Sequence, residues 1–154
     1  MKKIIKLVAI YLLYANIGCS QNTNVANEIS YEESNYKIED SLLVDRSGYF
    51  CKVYVNKNDS SLKMWKLHAD PQRLRLQGIY FTKDNIRNGP FKIYSPDGYL
   101  YGLGHFVNNK WDGKWLDYNE KGIVVKEYYY TQGKRSGTWK YFDDNGKFLR
   151  EEKY

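Results

Sequence analysis

The chain contains only two histidines and two cysteines among its 154 residues. His68, His105 and Cys51 stand far apart in the sequence, so they lack the ligand spacing of a zinc site. His68 and Asp70 have no nucleophilic serine or cysteine motif beside them, which nucleophilic catalysis requires. The sequence therefore predicts no catalytic residue, no metal and no cofactor. An enzymatic alternative would depend on His68, Asp70 and Tyr80.

The chain also lacks an apolar run of the roughly 20 residues that a membrane-spanning helix needs. Its N-terminal apolar stretch, residues 7–15, follows three lysines and is interrupted by two tyrosines. A basic start before an apolar segment of about 7–15 residues is typical of a secretory signal. We therefore predict a signal peptide over residues 1–18 and export of the protein.

Residues 17–20, IGCS, resemble a bacterial lipobox, in which a signal peptidase cleaves before a cysteine that is then acylated. Gly18 supplies the small residue before the cut, whereas Asn16 stands where the motif usually has leucine. Several acyl chains on Cys19 would give stable membrane attachment at the cell envelope. The alternative is ordinary cleavage after Ser20, which would yield a soluble secreted or periplasmic protein.

Lipidation of Cys19 would leave Cys51 as the one thiol of the mature chain and exclude an internal disulfide. The following segment, residues 19–47, is rich in Asn, Ser, Glu and Tyr, and it has six acidic residues against two basic ones. Low hydrophobicity with a net negative charge predicts a flexible tether. Within it, residues 38–44 could form a short strand.

The residues that are abundant, glycine and the aromatics, recur with a period of 24 between residues 89 and 154. The recurring columns are Gly89, Gly113 and Gly137; Gly98, Gly122 and Gly146; Phe91, Trp115 and Trp139; Tyr94, Tyr118 and Phe142; and Phe106, Tyr130 and Tyr154. A fixed short period indicates a stacked-repeat architecture. The glycines follow polar turn residues in SPDG, NEKG and DDNG, so they belong to turns rather than to a phosphate-binding loop.

Each unit is predicted to be a β-hairpin, because strand-forming aromatic and branched residues flank those four-residue turns. The repeats contain sixteen aromatic residues but only nine Ile, Leu or Val, which is too little aliphatic filling for a two-layer sandwich. We predict an all-β fold, an elongated single-layer antiparallel meander of repeated hairpins. Its units are residues 89–112, 113–136 and 137–154, and residues 48–88 form degenerate hairpins that cap the N-terminal side.

These columns resemble MORN repeats, in the variant found in bacterial proteins of the YwqK type. The resemblance covers about 66 residues, from 89 to 154. It implies a long single-layer antiparallel sheet, and it links the chain to scaffolding, to membranes or to antitoxins. The sequence departs from the family pattern at Gly102 and Gly104, which thin out a strand, and at Asn109, where the family usually has glycine.

The formal charge of +6 falls to +3 once the three lysines of the predicted signal are removed. The basic excess lies in residues 48–88, where lysines and arginines alternate with aromatic residues. Such a mixture can bind nucleic acid, but export argues against a nucleic-acid partner. Attraction to acidic head groups or glycans fits an exported protein better.

We interpret the chain as a non-enzymatic, exported interaction or scaffold module that binds a protein or an envelope glycan. Rigid aromatic side chains provide contact area at low entropic cost. The candidate contact residues are Trp111, Trp115, Tyr118, Tyr129, Trp139 and Tyr141. From the sequence, we expect Trp115→Ala and Trp139→Ala to weaken partner binding and to leave the circular dichroism spectrum unchanged. The family resemblance implies an alternative, an antitoxin-like protein that neutralises a toxin by binding it.

Overall fold

The computed structural model describes residues 31–44, 49–70, 72 and 75–154. These residues form one open antiparallel sheet whose strands follow one another in chain order, after a short 3-10 helix at Glu33–Asn35. The strands are β1 (Tyr36–Val44), β2 (Phe50–Asn56), β3 (Leu62–His68), β4 (Leu76–Lys83), β5 (Ile86–Tyr94), β6 (Leu100–Val107), β7 (Lys110–Trp111), β8 (Gly113–Tyr118), β9 (Val124–Thr131), β10 (Lys134–Phe142) and β11 (Phe148–Lys153). The predicted fold class, an all-β antiparallel meander in a single sheet, is confirmed.

The three four-residue turns form as the sequence predicts. In each, the amide of the closing glycine donates a hydrogen bond to the carbonyl of the first turn residue. The donor and acceptor residues are Gly98 and Ser95, Gly122 and Asn119, and Gly146 and Asp143, with N···O distances of 3.0, 2.9 and 2.9 Å. The three glycines have φ values of +90°, +75° and +81°, which a residue without a Cβ adopts at no steric cost.

The connections between units are also tight hairpins. The two central residues of each connection have positive φ, the signature of a type I′ turn, whose twist matches that of the flanking strands. The pairs are Asp84 and Asn85, Asn108 and Asn109, and Gln132 and Gly133. Asn109, with a φ of +66°, therefore takes the same left-handed conformation as Gly133 one unit later, because asparagine tolerates that region better than most residues.

A two-residue shift in register recurs at the first glycine of every unit. On β10, Arg135 opposes Tyr130 of β9, but Tyr141 opposes Lys126. Six steps along β10 therefore match only four steps along β9. The same shift separates β7 from β8, which both pair with β6. The glycine at this irregularity has a φ of +66° at Gly137. The residues just before each of these glycines thus pair two positions out of register with the rest of the strand.

Side chains alternate between two faces of the sheet. The face that we call the aromatic face has a cluster of Phe91, Phe106, Trp115, Tyr128 and Trp139, and continues through Tyr80, Leu67 and Cys51. The other side, the opposite face, has a cluster of Tyr36, Leu62, Met64, Ile79 and Phe81 in the N-terminal half of the sheet. In the last two units the opposite face is polar and includes Lys114, Glu127 and Lys140.

The sheet extends into the predicted tether. Residues 36–44 form β1, which pairs with β2, so the short strand considered at residues 38–44 is present and begins two residues earlier. Just before it, Tyr31 packs edge-on against Phe81, with ring centroids 5.0 Å apart. Residues 31–44 of the predicted tether are therefore folded onto the sheet, because Tyr31 and Tyr36 complete the cluster on the opposite face.

Candidate interaction surface

The structure buries two of the six predicted contact residues. Trp115 and Trp139 expose 1% and 3% of their surface, so their rings are not available to a partner. Both belong to the cluster on the aromatic face, where Trp139 Nε1 also donates to the Tyr129 carbonyl at 3.1 Å. The effect expected from the sequence for Trp115→Ala and Trp139→Ala must therefore be corrected: these substitutions remove core packing.

The other four predicted residues do not share one surface. Trp111 is 40% exposed and stacks on Trp115 on the aromatic face, and Tyr141 lies half-buried on the same face. Tyr129 lies on the opposite face, beside Lys140, and Tyr118 is half-buried at the end of β8. Of the six, only Trp111 combines a large exposed area with a fixed position over the core.

Trp115 is buried in a single sheet because glycine lies beneath it. Gly104 of β6 is next to Trp115 in the sheet, and a Cβ atom on Gly104 would overlap the Trp115 ring. Phe106 and Tyr128 flank the indole at centroid distances of 5.9 and 6.2 Å. Trp111 covers the solvent side of the Trp115 indole, with the two ring centroids 4.6 Å apart. The missing side chain thus lets the ring lie flat on the backbone, where its neighbours can enclose it.

Three residues, each two positions before the first glycine of a unit, cover the rings of the aromatic face. We call Arg87, Trp111 and Arg135 the covering row; they are 24 residues apart. Arg135 lies 4.8 Å from the Trp139 ring centroid, as Trp111 lies 4.6 Å from that of Trp115. A guanidinium and an indole are both flat and both favour stacking on an aromatic ring.

Each member of the covering row also reaches the closing aromatic residue of the unit that follows it. Arg87 lies 5.7 Å from the Phe106 ring, and the Trp111 and Tyr130 centroids are 4.9 Å apart. One strand lies between successive members, so they are two inter-strand spacings apart, about 10 Å along the sheet. The result is a line of cation, indole and cation at regular intervals on one face.

Two groups of a tyrosine, a carboxylate and a cation lie beside this row. In the second unit, Tyr128 Oη donates to Asp117 Oδ1 at 2.8 Å, and Lys126 Nζ is 4.5 Å from the Tyr128 ring. Lys126 also lies 4.7 Å from Trp139 and 5.5 Å from Tyr141, so three rings surround it. The Lys126 ammonium group therefore contacts rings of both the second and the third unit.

In the third unit the acid and the tyrosine exchange places. Tyr141 is 24 residues after Asp117, and Glu152 is 24 residues after Tyr128. Here Tyr141 Oη donates to Glu152 at 3.2 Å, and Arg150 lies 3.9 Å from the Tyr141 ring and pairs with Glu152. A hydrogen bond from Tyr154 Oη, followed by those from Arg150 and Tyr141, lowers the pKa of Glu152 to about 2. The same contact is thus built with the partners reversed across the hairpin.

The pKa of Asp117 is shifted in the opposite direction to that of Glu152. Burial raises the pKa of Asp117 above its ordinary value of 3.8, although the hydrogen bond from Tyr128 and the charge of Lys126 act in the other direction. The folded protein therefore holds this proton more tightly than the unfolded chain does. The stability that comes from the neutral acid is present below the unfolded pKa, and it is lost as the pH rises through the folded pKa.

Asp117→Asn tests this direction, since asparagine keeps an oxygen that can accept from Tyr128. We expect the parent protein to lose stability relative to the variant as the pH rises from 3.8 through the folded pKa, and the difference to be constant above it. Urea unfolding of both proteins from about pH 3 to about pH 8 measures the difference. A parent that gains stability relative to the variant over this range would contradict the assignment.

The arginines and the lysine of this surface are absent from the contact residues predicted from the sequence. Arg87, Lys126 and Arg135 each lie over at least two rings. The signal that could have identified Arg87 and Arg135 is their shared column with Trp111. A chemically mixed column is harder to recognise than one made only of aromatic residues.

The residues of the enzymatic alternative do not come together. His68 is buried on the opposite face, and its pairing partner on β2 is Phe50. Tyr80 lies on the aromatic face, stacked on Trp65. Asp70 Oδ2 accepts a hydrogen bond from the Arg75 amide at 3.0 Å. Within the described ranges, no three His, Cys, Asp or Glu side chains are placed to hold a metal ion.

Cys19 and the predicted signal peptide lie outside the described residues, so they remain predictions from the sequence. No helix in the described part of the chain is both long and apolar enough to cross a bilayer. Comparison of the chain with models of known protein families gives no match. Comparison with curated proteins likewise gives none.

Proposed function

We propose that this chain is a non-enzymatic repeat module that holds a protein partner at the bacterial cell envelope. The observation that supports the proposal is the covering row. Arg87, Trp111 and Arg135 present flat side chains at regular spacing, and each is held in place by the rings under it. Arginine and tryptophan are enriched among residues that dominate protein–protein binding energies. Pre-organised side chains also lose little entropy on binding.

Attachment to the envelope is proposed from the N-terminal sequence. A basic start, a short apolar segment and IGCS together favour export followed by lipidation of Cys19. The resemblance to MORN repeats of the YwqK type supports a scaffolding role. The same resemblance leaves the antitoxin-like alternative, which would require a full-length chain in the cytoplasm.

Cross-linking in living cells tests the partner. A photoreactive phenylalanine derivative in place of Trp111 is expected to give a discrete adduct in the envelope fraction, since 40% of this side chain is exposed. Arg87→Glu together with Arg135→Glu should abolish the adduct, because both cations of the row are reversed. The matched control is Lys121→Glu together with Lys147→Glu, which reverses two exposed lysines at the four-residue turns.

The intact mass of the purified adduct reports the location in the same experiment. An acylated chain that begins at Cys19, and a soluble product for Cys19→Ala, are expected. A soluble chain that retains Met1 would overturn the envelope proposal and favour the antitoxin-like alternative. An adduct that persists in the Arg87 and Arg135 variant would show that the covering row is not the contact surface.

A further inference from the structure

The opposite face of the first unit is occupied by a segment of the chain itself. The Tyr31 ring lies so close to the backbone of Gly89 that a Cβ atom there would overlap it. The ring packs edge-on against Phe81, 5.0 Å away. Glu33 forms an ion pair with Lys66 at 2.6 Å. A tyrosine and an acidic residue two positions later, at the start of the 3-10 helix, thus anchor a short segment over a glycine of the repeat.

The third unit repeats the same niche 48 residues later. A shallow groove there is lined by Glu127, Tyr129, Gly137, Lys140 and Lys153, among others. Two periods earlier, these positions are Ile79, Phe81, Gly89, Lys92 and His105. Gly137 therefore corresponds to the glycine under Tyr31, and Tyr129 corresponds to Phe81, the ring against which Tyr31 packs.

The strands of the two niches are in the same register. Ile79 opposes Lys92 in the first unit, and Glu127 opposes Lys140 in the third. On the next strand, Pro90 opposes His105, and Thr138 opposes Lys153. Because pairing and bulge are both repeated, the backbone of the third unit presents the same bare glycine at the same place. The groove is thus built as the first niche is, and no segment among the described residues fills it.

The charges around the third groove suit the same kind of segment. Lys114 opposes Tyr129 in the register and lies 2.7 Å from Glu127, so it places an ammonium group beside the groove. In the first niche Lys66 supplies the cation, although its strand is shifted by two positions, so that Lys66 opposes Ile79 rather than Phe81. Lys140 and Lys153 add two further cations to the lining. With Lys114, three cations therefore face two carboxylates, those of Glu127 and Glu151.

We propose that the groove over Gly137 takes a tyrosine side chain from a short acidic segment of a partner protein. The tyrosine lies on the Gly137 backbone beside Tyr129, and an acid two residues later meets Lys114. Residues Tyr31–Asn35 of this chain show the geometry in the first unit. The assignment rests on the proposed function, because it adds to the covering row a second contact surface for a protein partner, on the opposite face, and names the chemistry of the segment bound there.

The test uses the full chain, labelled for NMR, and a synthetic peptide of sequence YEESN, which is the segment from Tyr31 to Asn35. The peptide is expected to shift the amide signals of Gly137 and Thr138. Binding should weaken roughly tenfold or more for the peptide AEESN, which lacks the ring. Lys114→Glu should weaken it similarly, whereas Lys121→Glu, at an exposed turn, should leave it unchanged.

Four outcomes would overturn the assignment. Shifts confined to the surroundings of Gly89 would mean that the peptide only replaces Tyr31 in the first unit. Equal binding of the alanine peptide would exclude recognition of the ring. Concentration-dependent shifts at Gly137 without any peptide would identify a second copy of this chain as the occupant. Failure of the peptide with intact cross-linking at Trp111 would overturn the groove assignment alone, and the proposed function would stand.

Discussion

Replacing Trp115 by alanine is expected to lower the free energy of unfolding by about 3–5 kcal/mol, the usual cost of removing a large buried aromatic side chain. Trp115 exposes 1% of its surface and touches rings on neighbouring strands, including Phe106 and Tyr128. Domains of this size are stable by only about 5–15 kcal/mol. A large fraction of the stability therefore depends on one indole, and urea unfolding followed by circular dichroism measures the loss.

Trp111→Ala is the matched control, because it also removes an indole, the one that lies on the solvent side of Trp115. Trp111 is 40% exposed and stacks on Trp115, so we expect a loss of only about 1 kcal/mol. Equal losses for the two variants would show that the indole of Trp115 is not the centre of the cluster. An unchanged stability of Trp115→Ala would restore the interpretation of this ring as a contact residue.

Gly104→Ala is expected to destabilise the protein by about 3 kcal/mol, the upper end of the usual cost of overpacking a core. A Cβ atom at this position would overlap the Trp115 ring itself. The ring cannot move away freely, because Trp111 lies 4.6 Å above it and Phe106 flanks it. Equilibrium unfolding in urea again gives the difference in free energy.

Gly102→Ala separates this steric effect from the loss of glycine flexibility. A Cβ atom on Gly102 would meet Ile93 at 3.5 Å and Asp117 at 3.7 Å, which are ordinary contacts. We expect this variant to be neutral, or more stable by up to about 1 kcal/mol, since alanine restricts the unfolded chain. In a Trp115→Ala background, Gly104→Ala should cost almost nothing more. An equal cost in both backgrounds would rule out overlap with the ring as the cause.

The two glycines also show where sequence interpretation reached its limit. Gly102 and Gly104 interrupt the repeat columns, and from the sequence they only weaken a strand. In the sheet, Gly104 of β6 lies under Trp115, which is eleven positions later in the sequence and belongs to the neighbouring strand β8. Which residues oppose each other depends on the register, and a shift of one residue exchanges the faces. A single sequence with mixed alternation did not determine that register.

The role of the covering row is a second feature that the sequence did not reveal. Arg87, Trp111 and Arg135 share a column with the period of 24, but their chemical types differ. Their common role, a flat group stacked on a buried ring, becomes visible only when the two-residue shift in register is known. Tyr31 is a further case, since nothing in an acidic segment reveals the glycine on which its ring packs.

The sequence by itself determined the period, the turns and the antiparallel order of the sheet. Those features are local: glycine and asparagine at fixed positions impose left-handed turn conformations, and strand-forming residues lie between them. Only the tertiary structure decided which rings are buried, as Trp115 is, and which are exposed, as Trp111 is. In a single-layer sheet, a ring is buried by its cross-strand neighbours, and those are set by pairing across many residues rather than by the residue's own position in the chain.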